Sequence, residues 1–340
     1  MQEKLFGKIL EELRALSLNL GLPSFTGQQL CEWLYKKEAT SFDQMTNLSK
    51  KARALLSENY ELGLQDPEDE QESVDGTKKY LFPSGDGKFI ETAYIPDGKR
   101  STVCVSSQVG CKMGCLFCMT GKQGFQGNLT AGEILNQYRS LPERKNLTNI
   151  VYMGMGEPLD NLSEVLLSLE VLTAEWGFSL SPRRITVSTI GIIPAMLEFL
   201  NKSEAHLAIS LHTPFDEERR KLMPVQQVYP LKEVLKEIRS WDFGRQRRVS
   251  FEYILFKGYN DSAAHVNELS RILHGIRCRI NLIRFHPIPD TPLESPDESA
   301  IEEFRNKLNA KGLIATIRAS RGQDIWAACG LLSTKRLQKN

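Results

Sequence analysis

No apolar run in the 340-residue chain approaches the roughly 18 residues needed to cross a bilayer. Its start, Met1-Gln2-Glu3-Lys4, also lacks the apolar stretch of a secretory signal, so a cytoplasmic setting without membrane contact is expected. An excess of one charge is missing too: 43 Lys and Arg face 42 Asp and Glu. This near balance removes the bulk electrostatic signature of a nucleic-acid binder. The local basic clusters, Arg183-Arg184, Arg219-Arg220-Lys221, Arg245 with Arg247-Arg248, and Lys335-Arg336, read singly as solvated surface. A secreted disulfide framework is excluded in turn, because the seven cysteines are odd in number and three of them fall within eight residues. In a reducing compartment such a group more often binds metal. What remains, 41% hydrophobic and 25% charged residues, is the composition of a folded globular chain long enough for a large domain and a smaller one.

From residue 1 to about 65 the periodicity is helical, with Leu5, Ile9, Leu13 and Leu16 on one amphipathic stripe and Leu30, Trp33 and Leu34 on a second. Cys31 falls in that second stripe as a packing residue. A small helical accessory domain, expected to bind RNA once the chemistry below is considered, is placed at 1–65. Residues 66–100 read as an acidic linker followed by a β-hairpin around Pro83-Ser84-Gly85-Asp86-Gly87. From 101 to 340 strands alternate with helical patterns: Asn149–Met153, Arg184–Thr189, His206–Leu211, Val249–Leu255, Arg279–Phe285 and Ile314–Arg318 are the expected strands. Repeated strand–helix units imply an α/β fold with a parallel sheet, closed into a partial or complete barrel.

Strand side chains alternate between faces, and several faces here are polar. Thr102, Cys104, Ser106 and Gln108 share one face; Ala208, Ser210 and His212 share another; Ser250 and Glu252 a third. A side-chain-filled barrel carries branched apolar residues in its lumen. Small and polar ones suggest a lumen that holds a polar ligand, although periodicity does not say which face is inward.

The sharpest motif is Cys111-Lys112-Met113-Gly114-Cys115-Leu116-Phe117-Cys118, directly after a strand. Three thiolates from one loop can hold three irons of a cubane cluster and leave the fourth open to a ligand. Structural zinc takes four protein ligands, usually in paired short gaps, and no second short-gap pair of Cys or His exists to complete such a site. The spacing, with an aromatic before the third cysteine, resembles the radical S-adenosylmethionine superfamily. That resemblance implies a 4Fe-4S cluster on Cys111, Cys115 and Cys118 whose open iron binds the amino and carboxylate groups of S-adenosylmethionine, and reductive cleavage of the sulfonium. Gly154-Met155-Gly156-Glu157-Pro158, at the end of the next strand, is similar to the superfamily's site for the methionine amine, with Gly156 and Glu157 as contacts. Ser188 and Ser210-Leu211-His212 stand at strand ends, the rim where such barrels place ligands.

The likeness narrows further. Cys104-Val105-Ser106-Ser107-Gln108-Val109-Gly110-Cys111, Tyr152-Met153-Gly154-Met155-Gly156-Glu157-Pro158, Arg183-Arg184-Ile185-Thr186-Val187-Ser188-Thr189, Ser210-Leu211-His212 and Ala328-Cys329-Gly330 together resemble the RlmN/Cfr family of adenine-carbon methyltransferases. The resemblance implies methylation of adenine carbon 2 in ribosomal RNA, with transfer RNA as a further substrate, by a monomer that draws electrons from a flavodoxin or ferredoxin. It implies that Cys329 carries the methyl group, that Cys104 attacks the Cys329 sulfur to release product as a disulfide forms, and that Glu91 acts as general base. Read without it, Cys104, Cys278 and Cys329 are small buried residues and Glu91 an exposed strand carboxylate. Two departures stand out. His286 replaces a usual asparagine cofactor contact and brings an expected pH dependence near neutrality, and Gln226 ends Met223-Pro224-Val225-Gln226 where the family has asparagine. The rival readings are methylation at carbon 8, as in Cfr, and a cluster protein limited to binding or electron transfer.

Overall fold

The computed structural model describes residues 2–85, 87–244, 249–328, 330–332 and 334. Cys329 and the basic residues Arg245, Arg247, Arg248, Lys335 and Arg336 lie outside the described residues. Ten strands form the main sheet: β1 (Asp69–Glu72), β2 (Lys78–Ser84), β3 (Lys88–Asp97), β4 (Arg100–Val105), β5 (Asn149–Tyr152), β6 (Ile185–Thr189), β7 (His206–Ser210), β8 (Val249–Leu255), β9 (Cys278–Arg284) and β10 (Ala315–Ile317). They lie side by side in chain order. β1 to β4 pair antiparallel, and every pair from β4 to β10 is parallel. The parallel strands are joined through helices such as Ala131–Arg139, Leu162–Thr173, Ile193–Lys202 and Ala263–Leu273. Because β1 and β10 do not pair, the result is a partial barrel.

The crossover helices explain which strand face turns inward. Helix Leu231–Ser240 buries Leu231, Val234, Leu235 and Ile238, one stripe at helical spacing. Such stripes need an apolar partner, which Leu207 and Ile209 of β7 and Val249, Phe251, Tyr253 and Leu255 of β8 supply in the same core. The opposite faces therefore look into the lumen: Thr186, Ser188, Ser210, Ser250, Glu252 and Asn281 all line the central cavity. The Thr102 and Cys104 part of the β4 face lines it as well.

Two segments differ from the sequence reading. Asp69–Glu72, expected as linker, is an exposed edge strand paired with β2, where Glu70 meets Lys78 at 2.7 Å. Acidic side chains suit an edge that must not pair further. Leu5 sits not on the first helix but after a short strand, Glu3–Lys4, which pairs in parallel with Tyr60–Glu61; the helix itself spans Leu10–Asn19. It is followed by Phe25–Cys31, its wider π-helical continuation Glu32–Lys36, and Lys50–Asn59, which is capped by the Ser49 hydroxyl accepting from the Ala52 N–H. Cys31 is buried here, as packing required. These helices seat on the barrel where Tyr35 meets Phe178, ring centroids 5.5 Å apart, and where Asn136 Nδ2 donates to the Gly63 carbonyl at 3.1 Å.

Candidate active site

One cavity of about 440 Å³ occupies the barrel. Cys111, Cys115 and Cys118 line it together with Gly154, Gly156, Glu157, Ser188, Ser210, His212, His286 and Cys104. Leu211 is the exception among the rim residues. Its side chain is buried in the outer core and its N–H donates to the Glu252 carbonyl.

The cysteine loop is held from three directions. The Leu116 N–H donates to the Leu222 carbonyl at 2.9 Å, the Met119 N–H to the Gly330 carbonyl at 2.9 Å, and the Thr120 hydroxyl to the Leu332 carbonyl at 2.7 Å. Gly110 has φ +71°, and a Cβ there would stand 1.7 Å from the Gly124 carbonyl oxygen, so only glycine admits this entry into the loop. Phe117 packs edge-on against His212 with centroids 4.8 Å apart. Burial pushes the Cys111 thiol up to about 12, and burial with the neighbouring Cys118 and Cys111 sulfurs pushes Cys115 well above its ordinary value. The three thiols line the same cavity. Three thiols on one loop lining one cavity are the donor set of a cubane, in which each thiolate takes its own iron.

Gly156, φ +100°, lies so close to β4's extension that a Cβ would meet Gln108 Cβ at 2.6 Å. The glycines of this turn thus let the loop pack on the preceding strand and line the cavity at once. Glu157 follows, buried. Its Oε1 accepts from the Leu159 N–H and its Oε2 from the Ile190 N–H, each at 3.1 Å. These bonds fix the carboxylate and leave further lone pairs for a cationic donor. Burial raises its pKa to about 7, against the lowering effect of the Thr189 hydroxyl and the two N–H groups. A bound ammonium would draw the group into its ionised form.

His212 adopts φ +59°, and its Nδ1 accepts from the Ile254 N–H at 3.1 Å, which puts the ring proton on Nε2. Burial and then Arg219 depress its pKa to about 3. Arg219 is itself wholly buried, donating to the carbonyls of Leu211, Ile190 and Ser210 and to Gln226 Oε1. It clamps the ends of β6 and β7, where the Ser210-Leu211-His212 contacts stand. The surface reading of Arg219 is therefore corrected, while Arg220 and Lys221 remain exposed. Gln226 belongs to the same clamp; its Nε2 donates to Asp216 at 2.7 Å.

His286 lines the cavity with Nε2 2.7 Å from the Ser320 hydroxyl. Burial first and Arg284 second lower its pKa from 6.5, which favours the neutral ring at neutral pH. The pH dependence near neutrality expected from the sequence moves to lower pH. An imidazole neutral in the fold but protonated in the unfolded chain contributes stability above its unfolded pKa that is lost on acidification. His286→Asn is accordingly expected to match the parent's melting temperature trend from pH 7 to 8 and to lose less stability between about pH 6.5 and 5. A steeper acid loss in the variant would contradict this.

Glu91 and Cys104 are both buried. Glu91 is thus not the exposed carboxylate expected from strand periodicity, and Cys278 is only half buried. Glu91 meets Lys79 Nζ at 3.0 Å, a partner on β2 that sequence reasoning missed. The register of Leu81 against Glu91 would have brought Lys79 within reach on the same face. The Glu91 carbonyl accepts from the Ser106 hydroxyl at 2.7 Å. Cys104 packs with Ala93, Val151 and Ala327 and lines the cavity, as do Ala328 and Gly330. No disulfide joins any two of the described cysteines.

Residues 105–269 match the radical SAM superfamily, and residues 4–62 match the ribosomal RNA large subunit methyltransferase N-terminal domain. A Parabacteroides distasonis protein named probable dual-specificity RNA methyltransferase RlmN is 56% identical over 335 residues, covering 98% of each chain. The dual-specificity RNA methyltransferase RlmN of Syntrophus aciditrophicus is 44% identical over 97% of this chain and 96% of its own. The chain belongs to the RlmN family. The solved structure of a radical SAM methyltransferase from Sphaerobacter thermophilus covers 97% of this chain and 99% of that one at 41% identity, with a TM-score of 0.91. Membership brings a 4Fe-4S cluster and S-adenosylmethionine as cofactors, and the cysteine loop and cavity above fit both. Among the described residues no helix is long and apolar enough to cross a membrane.

Proposed function

We propose that the chain methylates carbon 2 of an adenine in RNA, with large-subunit ribosomal RNA and transfer RNA as substrates and a flavodoxin- or ferredoxin-class protein as electron donor. The observation that carries this reading is that the three loop cysteines, Glu157, Cys104 and the Ala328 and Gly330 neighbours of Cys329 all line one cavity. The names of the relatives support RNA as the substrate class. Cluster and S-adenosylmethionine, when bound, supply one-electron chemistry that no side chain of this chain provides.

In this reading Cys111, Cys115 and Cys118 hold the cluster, and Glu157 orients the cationic amine of the cofactor. Ser188, Ser210, the Leu211 backbone, His212 and His286 frame the rest of it. Cys329 carries the methyl carbon to the base. Glu91, held against Lys79, takes the proton that leaves the base carbon. The Cys104 thiolate then attacks the Cys329 sulfur: a sulfur–sulfur bond forms, the carbon–sulfur bond breaks with its electron pair passing to the methylene carbon, and that carbon takes up a proton, such as the one held by Glu91, to become the methyl group of the released base. A target base must leave its stack to enter such a cavity, as single-stranded RNA allows. Residues 1–65 serve in this scheme as the RNA-binding accessory domain, 66–100 as the extension of the sheet, and 101–340 as the catalytic barrel.

The test is methylation of an RNA transcript by reconstituted protein, followed by mass fragmentation of the modified nucleoside. A single methyl on carbon 2 is expected. A methyl on carbon 8 would overturn the position, and cofactor cleavage with no methylated nucleoside would overturn the activity.

A further inference from the structure

Parallel register brings Ser210, Glu252, Asn281 and Thr316 side by side across β7 to β10, all facing the cavity. Glu252 is the deepest charge in this layer, 3% exposed. Its Oε1 accepts from Asn281 Nδ2 at 2.8 Å and from the Ser250 hydroxyl at 3.1 Å. The Thr316 hydroxyl in turn donates to Asn281 Oδ1 at 3.2 Å. Glu252 Oε2 has no hydrogen-bond partner among the described residues. A carboxylate oxygen so buried is unfavourable unless something donates to it. The surrounding bonds fix its direction, burial disfavours its ionised form while the Arg318 charge in the same cavity favours it, and a donor on a ligand in the cavity would satisfy it.

S-adenosylmethionine carries three kinds of donor. Its ammonium suits Glu157 beside the cysteine loop, and its flat adenine suits an apolar wall, which Ile254 and Ile283 offer one layer further along β8 and β9. The vicinal ribose hydroxyls are left. Each hydroxyl both donates and accepts, and the layer around Glu252 mixes a bare acceptor with hydroxyl and amide groups of both kinds. Acidic side chains are a general solution for nucleoside ribose.

We propose that Glu252 is a positioning residue that accepts a hydrogen bond through Oε2 from a ribose hydroxyl of S-adenosylmethionine, with Ser210 completing the polyol site. Nothing in the sequence separated Glu252 from its neighbours beyond its place on a polar face. The inference rests on the cofactor occupying this cavity.

The experiment is anaerobic titration calorimetry of the cluster-loaded, oxidised protein, so that binding is read without turnover. S-adenosylmethionine and its 2′,3′-dideoxy counterpart are each titrated into the parent, Glu252→Gln and Glu252→Ala. In Glu252→Gln the amide can keep the bonds from Asn281 and Ser250 while an N–H replaces the accepting Oε2. S-adenosylmethionine is expected to bind this variant about tenfold more weakly, and the dideoxy compound to bind parent and variant alike, because the two changes remove one and the same hydrogen bond. Glu252→Ala should give the same non-additive pattern. If each variant instead loses as much affinity for the dideoxy compound as for S-adenosylmethionine, Glu252 acts through the scaffold and the proposal fails. Unchanged binding in Glu252→Gln overturns it as well, and so would a loss of RNA affinity with cofactor affinity intact. A parent that binds neither compound would overturn the cofactor cavity itself, and the inference with it.

Discussion

Cys111→Ala is expected to abolish the iron–sulfur cluster and, with it, all reductive cleavage of S-adenosylmethionine. A cubane that takes only three protein thiolates loses an entire iron site when one is removed. In the metal-free protein burial keeps the Cys111 thiol protonated, its pKa pushed up to about 12, so loading releases protons and couples cluster assembly to the loop's geometry. Within the loop the Cys111 sulfur accepts from the nearby Met113 N–H. The loop's other bonds run from backbone and Thr120 to Leu222, Gly330 and Leu332, so the metal-free variant should keep the parent's circular dichroism. After anaerobic reconstitution the parent should hold about four irons per chain and the variant less than about one. Release of 5′-deoxyadenosine by the reduced variant should fall beyond detection. Full iron loading with cofactor cleavage would refute the cluster assignment; one tightly held zinc per parent chain, with no cluster, would restore the zinc reading.

Much of this site was legible because its chemistry is local in sequence. Cysteines at gaps of three and two sit on one loop wherever the chain goes, and a Gly-Xaa-Gly turn after a strand declares itself. The barrel was legible from alternation, which also marked the polar faces of β7 and β8, but not which way they point. That direction is set by the apolar stripes of the helices, a property of the packed whole. What stayed hidden are residues whose role comes from partners distant in sequence. Arg219 reads as one of three basic residues on a surface helix, yet the helical period turns it, and not Arg220 or Lys221, toward the carbonyls of Ile190 and Ser210. Lys79 gains meaning only when β2 pairs with β3 beside Glu91. His286 was visible as a departure, but the direction of its pKa shift needed burial and Arg284, which no local pattern shows.

Cys104→Ala is expected to trap a covalent link between protein and RNA, whereas Cys329→Ala should form none. The two cysteines act at different moments in the proposed relay. Without Cys329 there is no sulfur to carry the methyl carbon, so no RNA is methylated and no bond to the base forms. Without Cys104 the carrier still reaches the base, but no thiol attacks its sulfur, and the thioether persists. Position favours this division of labour. Cys104 lines the cavity on β4, packed among Ala93, Val151 and Ala327, and the chain neighbours of Cys329 line the same cavity. Exchange needs a thiolate within reach of the sulfur it attacks, and alanine at 104 removes that nucleophile from a site where little else has to change. The cost to the fold should be small, about 1 kcal/mol for one buried atom lost. The adduct should appear as a slow-migrating band that ribonuclease collapses, at a stoichiometry approaching one RNA per active chain, with turnover reduced at least a hundredfold. It should be absent from Cys329→Ala and from the double variant. Parent-like turnover by Cys104→Ala, or methylated RNA from Cys329→Ala, would end the two-cysteine relay for this chain while leaving the cluster and its cofactor in place.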